Sequence, residues 1–155
     1  MGLYASWNHG NALTVENPEN LTQIVHFGWG TEMLIAPSKR SWFHISLPTP
    51  VLVNGVQSKL LRCFLLFRTV SGSIRNVHVY NGRKILEEFN NLNLTGTHYD
   101  GVDTTNTFKL ANPPSVSLGI GISFLFQADT FTGGPVGSMV PPQLTVTSAG
   151  GDFTV

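Results

Sequence analysis

The chain has 155 residues and a formal net charge of zero, and 12% of its residues are charged, against roughly 25% in average soluble proteins. Without a basic excess, we expect no nucleic acid among its partners. Its N-terminus has neither a secretory signal pattern nor a membrane span, so we expect a cytoplasmic protein. The low fraction of charged residues also favours a homo-oligomer, because a surface with few charges is poorly protected against association.

Short runs rich in Val, Ile, Leu, Phe and Thr recur along the chain between clusters of Gly, Pro and Asn. The predicted strands are 12–16, 22–29, 32–36, 41–47, 51–56, 59–70, 74–80, 107–110 and 116–127. The single predicted helix is 84–90, because Ile85 and Phe89 would share one helical face. Gly72 and the Asn81-Gly82 pair predict tight hairpins, so consecutive strands should pair antiparallel.

The stretch 116–127 alternates almost without fault between apolar and small side chains. The apolar positions are Val116, Leu118, Ile120, Ile122, Phe124 and Phe126, and the small ones are Ser117, Gly119, Gly121 and Ser123. Only a strand separates these two sets onto opposite faces. We expect the apolar face to be buried, whereas the small-residue face would allow another layer or chain to approach, as in a structural assembly subunit.

About nine short strands in one domain predict an all-β protein, an antiparallel two-sheet sandwich that is jelly-roll-like and has at most one short helix. We assign the sandwich domain to residues 1–127 and a Gly/Pro-rich C-terminal extension to residues 128–155. The extension ends in an alternating piece, 144–147, which we expect to add a strand to its own sheet or to a neighbouring subunit. The only cysteine, Cys63, lies in an apolar run and is predicted to be buried.

Three predicted strands place a histidine away from the presumed core: His26, His44 and His78. If the three strands are neighbours, these imidazoles could bind one divalent metal ion, as in jelly-roll metalloenzymes of the cupin type. However, no two histidines lie two residues apart on one strand, and no Glu follows at the cupin spacing. The alternative is that each ring bonds to a neighbouring carbonyl or lies at an oligomer contact. We therefore expect no cofactor, and keep a divalent metal as the alternative.

Aromatic side chains favour a different kind of site. Sugars are commonly held by a ring stacked on their CH face, with amides or carboxylates bonding to the hydroxyls. A site for a sugar or another small polar ligand is predicted at Trp7, His9, Trp42, His44, His78 and Tyr80. Trp29 shares one side of its strand with Val25 and Phe27 and is expected to be buried instead.

The segment 98–106 carries Asp100, Asp103 and Asn106 within a short span. The side-chain oxygens of these residues could bind calcium. However, Asp and Asn also form turns by hydrogen bonding to their own backbone, and this is the favoured interpretation. The sequence contains no nucleophile elbow and no phosphate-binding loop. Enzymatic activity is therefore not indicated.

Several segments resemble small single-domain bacterial proteins grouped as a family of unknown function. They are 6–13 (SWNHGNAL), 26–31 (HFGWGT), 42–45 (WFHI), 75–82 (RNVHVYNG) and 119–124 (GIGISF). The resemblance covers residues 6–127 and implies a free-standing bacterial domain, but supplies no activity. Two functions therefore remain open: a non-enzymatic, oligomeric β-sandwich that binds a ligand or assembles, and a metal-binding, cupin-like enzyme that uses His26, His44 and His78.

Overall fold

The computed structural model describes residues 2–131 and 140–155 and confirms the predicted all-β, antiparallel sandwich. Its strands are β1 (Leu3–His9), β2 (Thr14–Val15), β3 (Leu21–Phe27), β4 (Gly30–Ile35), β5 (Arg40–Leu47), β6 (Leu52–Val53), β7 (Val56–Gln57), β8 (Lys59–Val70), β9 (Gly72–Asn81), β10 (Lys84–Phe89), β11 (Thr97–His98), β12 (Thr107–Lys109), β13 (Ile120–Ala128) and β14 (Gln143–Thr154). Two short 3₁₀ turns, Gly10–Ala12 and Pro18–Asn20, connect the first strands. Within the described ranges, no helix is long and apolar enough to cross a membrane.

The strands form two main sheets. The seven-stranded sheet, here called the large sheet, has the order β11-β8-β14-β4-β3, with β1 also paired to β14 and β12 to β8. The five-stranded sheet, here called the small sheet, has the order β10-β9-β13-β5-β2. Strands β6 and β7 form a separate two-stranded hairpin.

The core lies between the two sheets and is built from every second residue of the long strands. The small sheet contributes Phe43, Ile45, Val77, Val79, Ile120, Ile122, Phe124 and Phe126, and the large sheet contributes Met33, Ile35, Leu65, Phe67, Leu144, Val146 and Phe153. The predicted burial in 116–127 holds for Val116 and for the apolar residues from Ile120 onward. Leu118, by contrast, precedes β13 and is 57% exposed.

Strand β14 occupies the centre of the large sheet. It pairs with β8 along its length, while its other edge pairs first with β4 and then with β1. A bulge at Thr147 reverses the side-chain alternation of β14. Val146, just before the bulge, and Ala149, two residues after it, therefore both point into the core. The predicted domain of residues 1–127 therefore lacks this central strand, and the Gly133–Pro135 part of the predicted extension lies outside the described residues.

The predicted helix at 84–90 is wrong, because these residues form β10. Gly82, at φ 60°, closes a tight turn after Asn81, and β10 pairs back onto β9 with a bulge between Ile85 and Glu87. Two turns of isolated helix are only marginally stable, whereas the edge of β9 offers backbone partners along its length. The hairpin at Asn81-Gly82 is as the sequence predicted, whereas the hairpin predicted at Gly72 is wrong, because β8 and β9 belong to different sheets.

Cys63 is fully buried, as predicted for a residue in an apolar run. Burial raises the pKa of its thiol to about 12, with a further contribution from the negative charge of Asp152. The thiol is therefore a packing group and not a reactive nucleophile in the folded protein.

The outer face of the large sheet contains a close contact between Trp7 and Gly150. These residues are paired across β1 and β14, and the indole lies directly over the glycine. A Cβ atom added at Gly150 would stand 2.4 Å from Cδ2 of Trp7. The ring cannot move away freely because it also stacks on Phe64, with centroids 5.1 Å apart. Glycine at this position thus allows the indole to lie flat on the sheet.

We predict that Gly150→Ala lowers the free energy of unfolding by about 1–3 kcal/mol, because the added methyl overpacks the Trp7 contact. Gly121→Ala is the matched control, since a Cβ at Gly121, also in a central strand, meets no atom within 4 Å. Urea unfolding followed by circular dichroism measures both variants. Equal stability of the two would contradict this packing.

Candidate functional site

Four of the predicted ligand residues lie together on the outer face of the small sheet. Trp42 and His44 belong to β5, His78 and Tyr80 belong to β9, and β13 runs between the two strands. The register aligns His44, Ser123 and His78 in one row across the sheet. The small side chains of β13 therefore lie between two rows of larger, half-exposed ones.

His44 joins a serine and a carboxylate on this face. Its Nδ1 lies 2.7 Å from Ser123 Oγ, and its Nε2 lies 3.1 Å from Glu16 Oε1. The groups are those of a hydrolytic triad, but Ser123 lies in the middle of β13, which is paired on both edges. The backbone N–H groups around it are committed to the sheet and cannot form an oxyanion hole, so this arrangement lacks the main source of rate enhancement in acyl transfer.

The three histidines of the predicted metal site are not brought together. His26 lies on β3 of the large sheet and bonds to Thr31 Oγ1 at 2.8 Å. His78, on the small sheet, bonds to Asn90 Oδ1 at 2.8 Å, and its ring packs against Trp42. Among the residues that the structure describes, no group of three or more His, Cys, Asp and Glu side chains is arranged to hold a metal ion.

The two other predicted ligand residues, Trp7 and His9, lie on β1, in the large sheet. Trp7 is 39% exposed and stacks on Phe64, while His9 uses Nδ1 to accept the backbone N–H of Asn11. The predicted ligand residues are thus divided between two different sheets. They do not form the single site that was predicted from the sequence.

A cavity of about 360 Å³ lies beside the large sheet and is lined by Trp29, Tyr99, Asp100 and Thr147. The prediction that Trp29 is buried is wrong, because its side chain is 52% exposed. Trp29 lies in the turn between β3 and β4, at the edge of the sheet, and stacks on Phe27 with centroids 4.9 Å apart. The alternation of 22–29 did indicate which residues share a side, but it could not indicate that β3 is an edge strand.

The polar groups of this cavity have few partners within the protein. In the described part of the chain, the Asp100 carboxylate accepts no hydrogen bond from any residue, and it is exposed. The hydroxyl of Thr147 is buried and has no hydrogen-bond partner among the described residues. A buried polar atom without a partner costs about 1–3 kcal/mol, and such atoms in native proteins are rare enough to require an explanation.

A protein-family model matches nearly the whole chain, from residue 1 to residue 154. The chain belongs to DUF6623, a family of unknown function. The match extends past Gln127, where the resemblance seen in the sequence ended, and it includes β14. Comparison with the curated proteins finds no match.

In this DUF6623 chain, a network around Asp103 fixes the loop that carries Tyr99 and Asp100. Asp103 Oδ2 lies 2.8 Å from His98 Nδ1, and Oδ1 accepts the backbone N–H groups of Thr105 and Asn106. Partial desolvation raises the pKa of Asp103, but these hydrogen bonds outweigh it, so the net pKa is lowered. The bonds to its own backbone are those expected of a turn-forming Asp.

We predict that Asp103→Ala destabilises the protein by about 1–2 kcal/mol at neutral pH, because it removes hydrogen bonds to a charged group. Asp100→Ala, in the same loop, is the control and should leave stability unchanged. A lowered pKa in the folded state stabilises the protein above the unfolded value of about 3.9. The difference between wild type and Asp103→Ala should thus fall once the pH drops below about 4, as acid protonates Asp103.

Thermal or urea unfolding between pH 2.5 and 8 measures this dependence. A stability difference that does not shrink between pH 4 and pH 2.5 would contradict the assigned role of Asp103.

Proposed function

We propose that this protein is a non-catalytic β-sandwich that binds carbohydrate at the cavity between the β3–β4 turn and the 98–107 loop. The observation that carries the proposal is the exposed ring of Trp29, stacked on Phe27, beside the exposed carboxylate of Asp100, which accepts no hydrogen bond from the residues that the structure describes. We infer that the pyranose ring of a sugar stacks on Trp29 while its hydroxyls bond to the exposed carboxylate of Asp100, with Thr147 in the wall of the same cavity.

The aromatic part of this site suits the apolar face of a sugar ring. Trp29 and Phe27 are 52% and 38% exposed and stack on one another, so they form a contiguous apolar patch of the kind that marks binding surfaces. Stacking on Phe27 fixes the plane of the indole before any ligand arrives. A ring held in this way loses little conformational entropy on binding.

The polar part suits hydroxyl groups. A carboxylate only accepts hydrogen bonds, a threonine or tyrosine hydroxyl both donates and accepts, and sugar hydroxyls can satisfy both kinds of group. A cavity of about 360 Å³ lies at the lower end of the range for small-molecule sites. It has room for one or two sugar rings but not for a globular partner.

The outer face of the large sheet also offers a second ring in line with the first. Thr147 lines the cavity, and Gly150 supports Trp7. Three residues of extended strand span about 10 Å. A ligand that reaches both indoles would follow β14, so an oligosaccharide fits this surface better than a monosaccharide.

We predict that the protein binds a neutral oligosaccharide and that Trp29→Ala weakens binding at least about tenfold, which corresponds to 1.4 kcal/mol of lost stacking. Isothermal titration calorimetry with cellohexaose, chitohexaose, xylohexaose and maltohexaose is the measurement. The matched control is Trp42→Ala, which removes an indole from the small sheet and should keep the affinity within about twofold.

Two results would overturn the proposal. One is that none of the four oligosaccharides binds the wild-type protein at millimolar concentration. The other is that Trp42→Ala abolishes binding while Trp29→Ala does not, which would move the site to the histidine-bearing face of the small sheet.

A further inference from the structure

We propose that a second cavity on the same face, between Arg62 and Lys109, takes an anionic group of the bound glycan, a carboxylate or a sulfate. This inference rests on the proposed carbohydrate-binding function and names the class of sugar. The cavity has a volume of about 500 Å³ and is lined by Arg62, Val102, Asp103, Thr104, Thr107 and Lys109.

Two cations face each other across this part of the sheet. Arg62 on β8 is the direct register partner of Lys109 on β12. The Cβ atoms of directly paired residues in an antiparallel ladder are about 4.5–5.5 Å apart, and like charges at such positions are destabilising. Asp152 pairs with Arg62 and offsets part of this repulsion, and an anion bound between the two side chains would pair with Lys109 as well.

The carboxylates near the two cations are already engaged. Asp152 has a side chain only 8% exposed and accepts the Nε–H of Arg62 at 2.6 Å. Both oxygens of Asp103 are bonded, one to His98 and the other to backbone N–H groups. Among the described residues, neither carboxylate forms an ion pair with Lys109.

Donors remain available on both cations. Among the described residues, Asp152 is the only hydrogen-bond acceptor for Arg62, and it uses Nε alone. The two terminal amino groups of the guanidinium are thus left for a planar anion, which they match in geometry. Lys109 is exposed and contributes a flexible ammonium on the neighbouring strand.

The cavity is joined to the proposed sugar surface through stacked side chains. The Arg62 guanidinium lies over the ring of Phe64, 5.5 Å from its centroid, and Phe64 stacks on Trp7. A sugar ring that contacts the exposed part of Trp7 would therefore have Arg62 beside it. Asp152, which orients Arg62, lies two residues after Gly150 on β14, so the cavity continues the line from Trp29 through Trp7.

The test compares oligogalacturonate with its fully methyl-esterified form, which has the same rings without the charge. We expect the acid to bind wild-type protein at least tenfold more tightly than the ester in calorimetry at low salt, and this preference to shrink as salt is raised. Lys109→Gln should reduce the ratio of the two affinities, acid over ester, at least fivefold, while leaving the affinity for the ester unchanged. Lys84→Gln, an exposed cation of the small sheet, is the control and should keep the full preference.

Lys109→Gln is chosen because Arg62→Gln would leave buried Asp152 without its partner and endanger folding. Arg62→Lys serves as the second variant, because it keeps the charge but loses the planar donor pair, and it should also reduce the preference. This inference fails and the proposed function stands if the ester binds and the acid binds no more tightly than the ester. The same holds if Lys109→Gln keeps the full preference for the acid. If neither form binds and the four neutral oligosaccharides also fail, both are overturned.

Discussion

The central position of β14 is the constraint on which the rest of this structure depends. An antiparallel strand with neighbours on both edges has all its backbone groups paired, and its side chains are fixed alternately toward the core and toward solvent. β14 has this position between β8 on one edge and β4 and β1 on the other. Its inward residues close the core, and its outward residues form the floor of the surface we propose as the binding site.

Each part of that surface is positioned by one outward or bulged residue of β14. Thr147, at the bulge, reaches the cavity beside Trp29; Gly150 lets the indole of Trp7 lie on the sheet; and Asp152 orients Arg62. The small sheet has a different outer face, where His44, Ser123 and Glu16 form a hydrogen-bonded chain on a fully paired strand. The first face offers exposed rings beside the Asp100 carboxylate, which accepts no hydrogen bond from the described residues, whereas on the second the two imidazoles are hydrogen-bonded to Ser123, Glu16 and Asn90. This difference is why we favour the large sheet as the site.

The sequence predicted the fold well where a single period persists. Strand 41–47 and the residues from Ile120 onward alternate without interruption, so both the strand and its buried face were predictable. The prediction failed where local and tertiary effects compete. Residues 84–90 have the spacing of apolar residues typical of a helix, but pairing with β9 in a hairpin makes them a strand. The alternation of 144–147, continued along the chain, would predict the wrong inward-facing residues, because the bulge at Thr147 reverses it.

The site was harder to predict than the fold, because its residues meet only through long-range pairing. Trp7 was identified from its own neighbours, but its support, Gly150, comes from the opposite end of the chain. Trp29 was misassigned because an edge strand and a buried strand can have the same alternation. Nothing in the local sequence of Lys109 indicates that it faces Arg62.

Hydrogen–deuterium exchange of the backbone amides, followed by NMR, tests the central position of β14 most directly. A strand paired on both edges should open only with global unfolding, so the amides of 144–152 should exchange as slowly as those of β13 and far more slowly than those of the edge strand β3. Fast exchange along β14, at the rate of a frayed terminus, would contradict this account of the fold and of the surface built on it.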